Sequence, residues 1–79
     1  MVYCELIKRE GSLLTYQIGG FFNDLTGELV VDYVAGTYEI TKEPENSKVY
    51  DRHIGTMLSR AQADFEKGVF KRRLSYEIG

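Results

Sequence analysis

Residues 47–67 read SKVYDRHIGTMLSRAQADFEK and form the only stretch of the chain with a sustained helical period. The apolar residues recur at intervals of three and four, which places them on one side of a helix with 3.6 residues per turn. They are Tyr50, Ile54, Met57, Leu58, Ala61 and Phe65. The sequence therefore predicts one amphipathic helix over residues 47–67, and a single apolar stripe of this kind needs a sheet to cover it.

The ends of this helix carry recognisable signals. Asn46 or Ser47 is expected to cap the first turn, because a short side-chain oxygen there accepts a hydrogen bond from an unpaired backbone N–H. Gly68 is expected to end the helix, since glycine adopts the left-handed conformation at little cost. Gly55 in the interior weakens a helix by roughly 1 kcal/mol relative to alanine.

The rest of the chain predicts strands, because its apolar residues alternate with polar ones or form β-branched runs. The predicted strands cover residues 2–8, 13–22, 28–34, 37–41 and 69–78. Gly19 and Gly20 predict a bulge in the second strand, whereas Ala35 and Gly36 are compatible with a turn or a bulge. The predicted fold class is α+β: a mainly antiparallel five-stranded sheet with one helix on one face, in the order β-β-β-β-α-β.

The periods also predict which side chains form the core. They are Leu6, Tyr16, Ile18, Leu29, Val31, Ile54, Leu58, Phe65, Leu74 and Tyr76. One helix covers one face of the sheet, so the opposite face has no second layer and is expected to carry Tyr3, Ile7, Leu13 and Val30. These residues form either a tyrosine-rich solvent face or a binding surface.

Length and cysteine content set the broad class. Seventy-nine residues predict a single small globular domain over residues 1–79. Cys4 is the only cysteine, and the first residues show no charged-then-apolar leader, which together predict a reducing, cytoplasmic setting. The apolar runs are shorter than the roughly 20 residues of a membrane span. No membrane partner is expected.

The net charge of −2 is distributed unevenly. Residues 1–47 hold three basic and eight acidic side chains, a net charge of −5, whereas residues 48–79 hold seven basic and four acidic ones, a net charge of +3. The simplest interpretation is that the two halves attract each other within the fold. The alternative is that the basic half contacts a partner.

The chemistry-bearing residues predict neither an enzyme nor a cofactor site. His53 is the only histidine, so a cluster of cysteine and histidine ligands for zinc is not available. Cys4 and His53 are candidates for a nucleophile and base pair, but Cys4 alternates with outward residues and is expected inside the core. His53 borders the apolar stripe and is expected at the helix surface or at the boundary of the core. We therefore predict no catalytic residue, no metal and no cofactor.

The candidate partner-binding residues are cationic and aromatic. Lys71, Arg72 and Arg73 follow Phe70, and together with Arg52 they can contact a phosphate backbone. The alternative is that these cations protect a sheet edge against aggregation. The acidic isoelectric point, near 5.3, argues against nucleic acid, and no nucleic-acid-binding motif is present.

Protein binding is the favoured interpretation, with a protein partner or a second copy of the chain as the occupant. Six tyrosines and five arginines are many for so short a chain, and both types are enriched at binding hot spots. Tyr3 on the open sheet face is the aromatic candidate. Small bacterial and phage-type domains share this order of elements, but no motif here indicates a family.

Overall fold

The computed structural model describes residues 1–77 and contains a five-stranded sheet with a helix packed against it. The elements in chain order are β1 (Val2–Glu10), β2 (Leu13–Gly19), β3 (Gly27–Asp32), β4 (Thr37–Lys42), α1 (Asp51–Glu66) and β5 (Arg73–Tyr76). Every neighbouring pair is antiparallel, and the order across the sheet is β4-β3-β2-β1-β5. The predicted α+β fold and its element order are confirmed.

The first four strands form a meander, with short turns after β1 and β3 and a longer loop over residues 20–26 after β2. After β3 the Asp32 carboxylate accepts hydrogen bonds from the backbone N–H groups of Val34 and Ala35, at 3.1 and 3.0 Å. The N–H of Gly36 donates to the carbonyl of Asp32 at 2.9 Å. An aspartate side chain that satisfies the following backbone is typical of a tight turn. Residues 35 and 36 therefore form a turn rather than a bulge.

The predicted bulge at Gly19 and Gly20 is wrong. The pairing of β2 with β1 is regular from Tyr16 to Gly19, where the strand ends. The one irregularity of this pairing lies in β1, at Ile7. A Cβ atom on Gly19 would overlap the backbone of Asp24, and one on Gly20 would lie 2.5 Å from the carbonyl oxygen of Lys48. The two glycines allow two backbone segments to pass close together, which is the other common reason for glycine in a strand.

The helix begins later than predicted. It starts at Asp51, and Tyr50 occupies the N-cap position without a side-chain hydrogen bond. The prediction that Asn46 or Ser47 caps the helix is wrong, because both side chains donate hydrogen bonds to the carboxylate of Asp24 instead. The four residues before Asp51 therefore belong to the connector between β4 and α1.

Two glycines of the helix region differ in their role. Gly68 has a φ of 74°, and its N–H donates to the carbonyl of Phe65 at 3.0 Å. The predicted end of the helix at Gly68 is confirmed. Gly55 is exposed, and a Cβ atom there would meet nothing within 4 Å among the described residues. Close packing therefore does not require a glycine at position 55.

The core lies between α1 and the sheet. Six of the predicted core residues are buried: Tyr16, Ile18, Leu29, Val31, Ile54 and Phe65. The other four are half-buried and pack against this cluster: Leu6, Leu58, Leu74 and Tyr76. Additional buried residues are Val2, Cys4, Leu14, Met57 and Ala61. The half-buried positions include both apolar residues of β5, because a strand at the sheet edge has a neighbour on one side only.

The last strand is shorter than residues 69–78. Val69 is 45% exposed and precedes the strand. Phe70 packs against Tyr33 and Phe65 at ring-centre distances of 5.1 and 5.9 Å. Ile78 lies outside the described residues. The prediction of a C-terminal strand near a sheet edge is confirmed. Its extension over residues 69–72 is wrong, because Phe70 packs against the end of the core instead of continuing the strand.

The sheet face opposite α1 is mostly polar and is not rich in tyrosine. Cross-strand pairing aligns a polar row of five residues on it: Arg73, Glu5, Gln17, Glu28 and Lys42. Ile7 and Leu13 are 51% and 42% exposed, while Tyr3 and Val30 are half-buried. Four tyrosines belong to the helix side, where they are buried in the core or pack against it: Tyr16, Tyr33, Tyr38 and Tyr76. The alternative of a tyrosine-rich solvent face is therefore wrong.

Candidate functional site

A group of aromatic and charged side chains lies on the open face, where β1 and β5 pair. We call it the edge patch and define it by Tyr3, Glu5, Phe22, Arg72 and Arg73. The rings of Tyr3 and Phe22 meet edge to face, with their centres 6.1 Å apart and an interplanar angle of 87°. The guanidinium carbon of Arg73 lies 5.0 Å from the centre of the Phe22 ring. Phe22, 57% exposed, presents most of its surface to solvent.

The register of β1 and β5 explains why the charged members meet. Glu5 pairs with Arg73, and Tyr3 pairs with Ser75 two positions earlier in β1, so both pairs lie next to each other on the same face. The Glu5 carboxylate accepts from Arg73 Nε at 3.3 Å and from Arg72 Nη2 at 3.4 Å. The side chain of Glu5 is only 20% exposed, whereas the arginine side chains are 61% and 78% exposed. Such partly exposed pairs contribute little to stability, about 0–1 kcal/mol each. They do hold both guanidinium groups beside the aromatic pair.

The edge patch borders a recess of about 170 Å³. Its lining includes Tyr3, Phe22, Leu25 and Leu74. Small-molecule sites usually enclose about 300–1,000 Å³. The recess is therefore smaller than a typical ligand site and is suited to one anchoring side chain of a partner.

The position of Phe22 depends on a polar network centred on Asp24. The Asp24 carboxylate accepts from Ser47 Oγ at 2.5 Å, from the backbone N–H of Asn46 at 3.1 Å and from Thr26 Oγ1 at 3.0 Å. Ser47 Oγ also accepts from the N–H of Gly20 at 2.9 Å. These bonds join the loop that carries Phe22 to the connector before α1.

The carboxyl group at the centre of this network is held in its charged form. The hydrogen bond from Ser47 lowers the pKa of Asp24 below its ordinary value, and the bonds from Thr26 and Asn46 act in the same direction. Burial opposes them, but the hydrogen bonds prevail. The sequence indicated a turn at residues 23–27, but the partners in the connector are more than twenty positions away in the chain. Local pattern therefore could not identify them.

The five residues predicted to bind a partner do not form one surface. Tyr3, Arg72 and Arg73 come together in the edge patch. Lys71 lies on the helix side of β5, with its Nζ 3.3 Å from Asp64 Oδ2. Arg52 is exposed in the first turn of α1 and lines a separate hollow with its neighbours in the chain. Sequence reasoning missed Phe22 and Glu5, because neither belongs to the basic run.

A second hollow, of about 230 Å³, lies between α1 and β5. Arg60, Lys71 and Arg73 line it together with Asp64. The guanidinium carbon of Arg60 lies 5.0 Å from the centre of the Tyr76 ring. Cations around one hollow are the feature most favourable to a phosphate ligand, although the guanidinium group of Arg73 lies at Glu5 and Phe22 on the open face. The ion pair of Lys71 with Asp64 reduces that positive charge.

Cys4 and His53 are not arranged as a nucleophile and base. Cys4 is 2% exposed, and burial raises the pKa of its thiol to about 12, so the reactive thiolate is scarce near neutral pH. His53 is 8% exposed, which agrees with a position at the boundary of the core and not with one on the helix surface. Its Nδ1 lies 3.2 Å from the amino group of Met1. Burial is the main cause that lowers the His53 pKa, followed by the charges of that amino group and of Arg52. Burial therefore explains the pKa shifts of both side chains, and neither shift indicates a catalytic pair.

Residues 1–77 contain neither a cluster of metal ligands nor a helix that could span a membrane. Within residues 1–77, no cluster of three or more histidine, cysteine, aspartate or glutamate side chains has a metal-binding arrangement. The helix of the described part is also too short and too polar to cross a bilayer. The chain matches no family model, no curated protein and no solved structure.

Proposed function

We propose that the chain is a small non-enzymatic protein-interaction module and that the edge patch is its contact surface. The observation that carries this proposal is the group of Tyr3, exposed Phe22 and Arg73, in contact with one another beside a recess of side-chain size. Tyrosine and arginine are enriched at binding hot spots, and aromatic residues are enriched in interface cores. Phe22 fills no space in the buried core. Its exposure is therefore better explained by contact with a partner than by a need of the fold.

The paired charges support a protein partner over a nucleic acid. Arg72 and Arg73 share the carboxylate of Glu5, and Lys71 pairs with Asp64. Nucleic-acid binding gains most of its affinity from cations that neutralise phosphates, and here each of the three cations at positions 71–73 already has an acidic neighbour. The two pairs at Glu5 link the acidic first half of the chain to the basic second half. Free, buried Cys4 supports a reducing, cytoplasmic location as part of the same proposal.

Site-specific photo-crosslinking tests the contact surface. A photoreactive phenylalanine analogue replaces Phe22 in one variant and Val34 in a matched control, since Val34 is 74% exposed in the turn between β3 and β4. We expect a discrete crosslinked protein from position 22, no such product from position 34, and loss of the product when Tyr3→Ala is added. The same products from both positions would reject the edge patch.

Nucleic-acid binding is the second candidate, because Arg60, Lys71 and Arg73 line one hollow. Fluorescence anisotropy with single- and double-stranded DNA and RNA, at low and moderate salt, tests it. If the hollow binds phosphates, the double variant Lys71→Ala/Arg73→Ala reduces the salt dependence of binding while the far-ultraviolet circular dichroism stays unchanged. Absence of binding at low salt would reject this candidate and leave the cations as edge protection.

A further inference from the structure

β5 lies at one edge of the sheet and pairs with β1 on its inner side. The N–H of Leu6 donates to the carbonyl of Arg72 at 2.7 Å. Because backbone groups alternate in direction along an antiparallel strand, those of Leu74 and Tyr76 also point toward β1. Those of Arg73, Ser75 and Glu77 then point away from the sheet. Within residues 1–77 no other strand pairs with this side of β5.

We propose that a second copy of the chain pairs its β5 with this edge, antiparallel about a twofold axis through Ser75. The inference rests on the proposed function and names the partner at the edge of the same surface. In this register Ser75 faces its own symmetry mate, Arg73 faces Glu77 of the second copy, and Leu74 faces Tyr76 of the second copy. The two sheets then form one continuous sheet with an isologous interface.

The direction of the backbone groups excludes a register shifted by one residue. Arg73, Ser75 and Glu77 all point their backbone N–H and C=O groups to the open side. In the proposed register each of them faces a residue of the second copy whose backbone groups also point outward. A shift by one residue would place these groups opposite residues whose backbone already bonds to β1. It would also bring a side chain of the helix side against one of the open face.

The charges select the same register. Symmetry produces two pairs of Arg73 with Glu77, and opposite charges directly across an antiparallel pair contribute about 0.2–1 kcal/mol each. Arg73 uses Nε for Glu5 at 3.3 Å, which leaves its terminal guanidinium nitrogens free to donate. A shift by two residues toward the start of β5 would pair Glu77 with Lys71, but Lys71 precedes the strand and bonds to Asp64.

Sedimentation equilibrium with a charge reversal tests the register. Glu77→Arg changes none of the five residues that define the edge patch, although Glu77 also lines the recess beside it. It places two arginine pairs across the interface, so we expect the dimer dissociation constant to rise roughly tenfold. Glu77→Gln keeps Arg73 in its bond with Glu5 and removes the repulsion, so its dissociation constant should lie between those of Glu77→Arg and the wild type. Circular dichroism confirms that each variant is folded. A wild type that stays monomeric at every concentration, or equal dimerisation of the wild type and Glu77→Arg, would overturn the inference.

A disulfide crosslink tests the same register without changing charge. Hydrogen-bonded antiparallel partners have Cα atoms about 5.5 Å apart, within the roughly 4.4–6.8 Å that a disulfide spans. Ser75→Cys should therefore form a covalent dimer under mild oxidation with diamide. Ser59→Cys is the matched control, because Ser59 is exposed on α1 but lines the cleft on the β3–β4 side. Equal crosslinking of the two variants would overturn the inference.

The two experiments separate this inference from the proposed function. A monomer that still crosslinks to another protein through position 22 would reject the dimer and leave the interaction module in place. A dimer that crosslinks through Ser75→Cys, without any product that depends on the edge patch at position 22, would support the β5 pairing. That second result would reject the edge patch as the contact surface.

Discussion

The replacement Gly55→Ala is expected to stabilise the protein. Gly55 lies inside α1, where glycine is less favourable than alanine by about 0.8–1.0 kcal/mol because it loses more backbone entropy on folding. A clash does not reduce this gain, since an added Cβ would meet nothing within 4 Å among the described residues. Gly55 borders a cleft of about 280 Å³ between α1 and the β3–β4 side of the sheet. The methyl group therefore enters open space.

The expected gain in the free energy of unfolding is therefore about 1 kcal/mol. For a domain of this length, that change raises the melting temperature by roughly 4–8 °C. Thermal unfolding followed by circular dichroism at 222 nm, the wavelength of helical signal, measures the shift. Urea titration should give a higher midpoint with an unchanged slope, because the surface exposed on unfolding is almost the same.

Gly68→Ala is the matched control. A Cβ on Gly68 also meets nothing within 4 Å among the described residues, but its φ is 74°. A left-handed conformation costs a non-glycine residue roughly 1–2 kcal/mol, so this variant should melt at a lower temperature. A melting temperature of Gly55→Ala at or below that of the wild type would refute the reasoning. It would show that the cleft beside Gly55 is closed in solution.

Three further predictions concern buried groups. Tyr16→Phe should raise the urea midpoint, because the Tyr16 hydroxyl is buried without a hydrogen-bond partner among the described residues. Removing that hydroxyl relieves a desolvation penalty of about 1–3 kcal/mol. A lower midpoint would show that the hydroxyl is hydrogen-bonded. Cys4, with its thiol pKa raised to about 12, should react with a thiol reagent at pH 8 only as fast as the fold opens; rapid stoichiometric labelling of the native protein would contradict this. The lowered pKa of His53 means that the unfolded chain binds its proton first. Protonation of His53 therefore favours the unfolded chain, and the free energy of unfolding should decrease as pH falls below the ordinary pKa of 6.5. Urea titrations at several pH values should show that His53→Gln lacks this part of the decrease.

Local periodicity was sufficient to predict most of the fold. Alternation in β1 assigned Val2 and Cys4 to one face and Tyr3 to the other, because side chains of a strand point to opposite faces in turn. The intervals of three and four assigned Ile54 and Phe65 to the buried side of α1. These predictions succeed because each depends on neighbours a few positions away.

The errors arose where a residue's partner lies far along the chain. Ser47 is a residue type that often caps helices, but its hydroxyl donates a hydrogen bond to the Asp24 carboxylate. The helix α1 therefore starts only at Asp51. Gly19 resembles a bulge residue, but it is required by the backbone of Asp24 passing beside it. Both depend on how the loop after β2 meets the connector after β4, which no local pattern contains.

The candidate site was only partly predictable for the same reason. The run from Lys71 to Arg73 was visible as a cluster of charge, and Tyr3 as an outward aromatic residue. The structure divides the run, because Lys71 precedes β5 and turns to α1 while Arg73 alternates onto the open face. Phe22 joins the patch through a loop held by Asp24. Its role required the three-dimensional path of that loop.

The pairing of β1 with β5 has a consequence for the order of folding. Glu5 and Arg73 are 68 positions apart in the chain, whereas each of the other strand pairs joins consecutive strands. Contacts of high sequence separation form slowly, because loop closure loses entropy before the contact is gained. We therefore expect the meander to assemble first and β5 to dock last.

A strand that docks last is also expected to detach first, with amide protons that exchange through local opening rather than through global unfolding. A partner that binds only the docked form of β5 would slow that exchange in proportion to its concentration. Recognition at this edge would then control how much of the chain is completely folded at any moment.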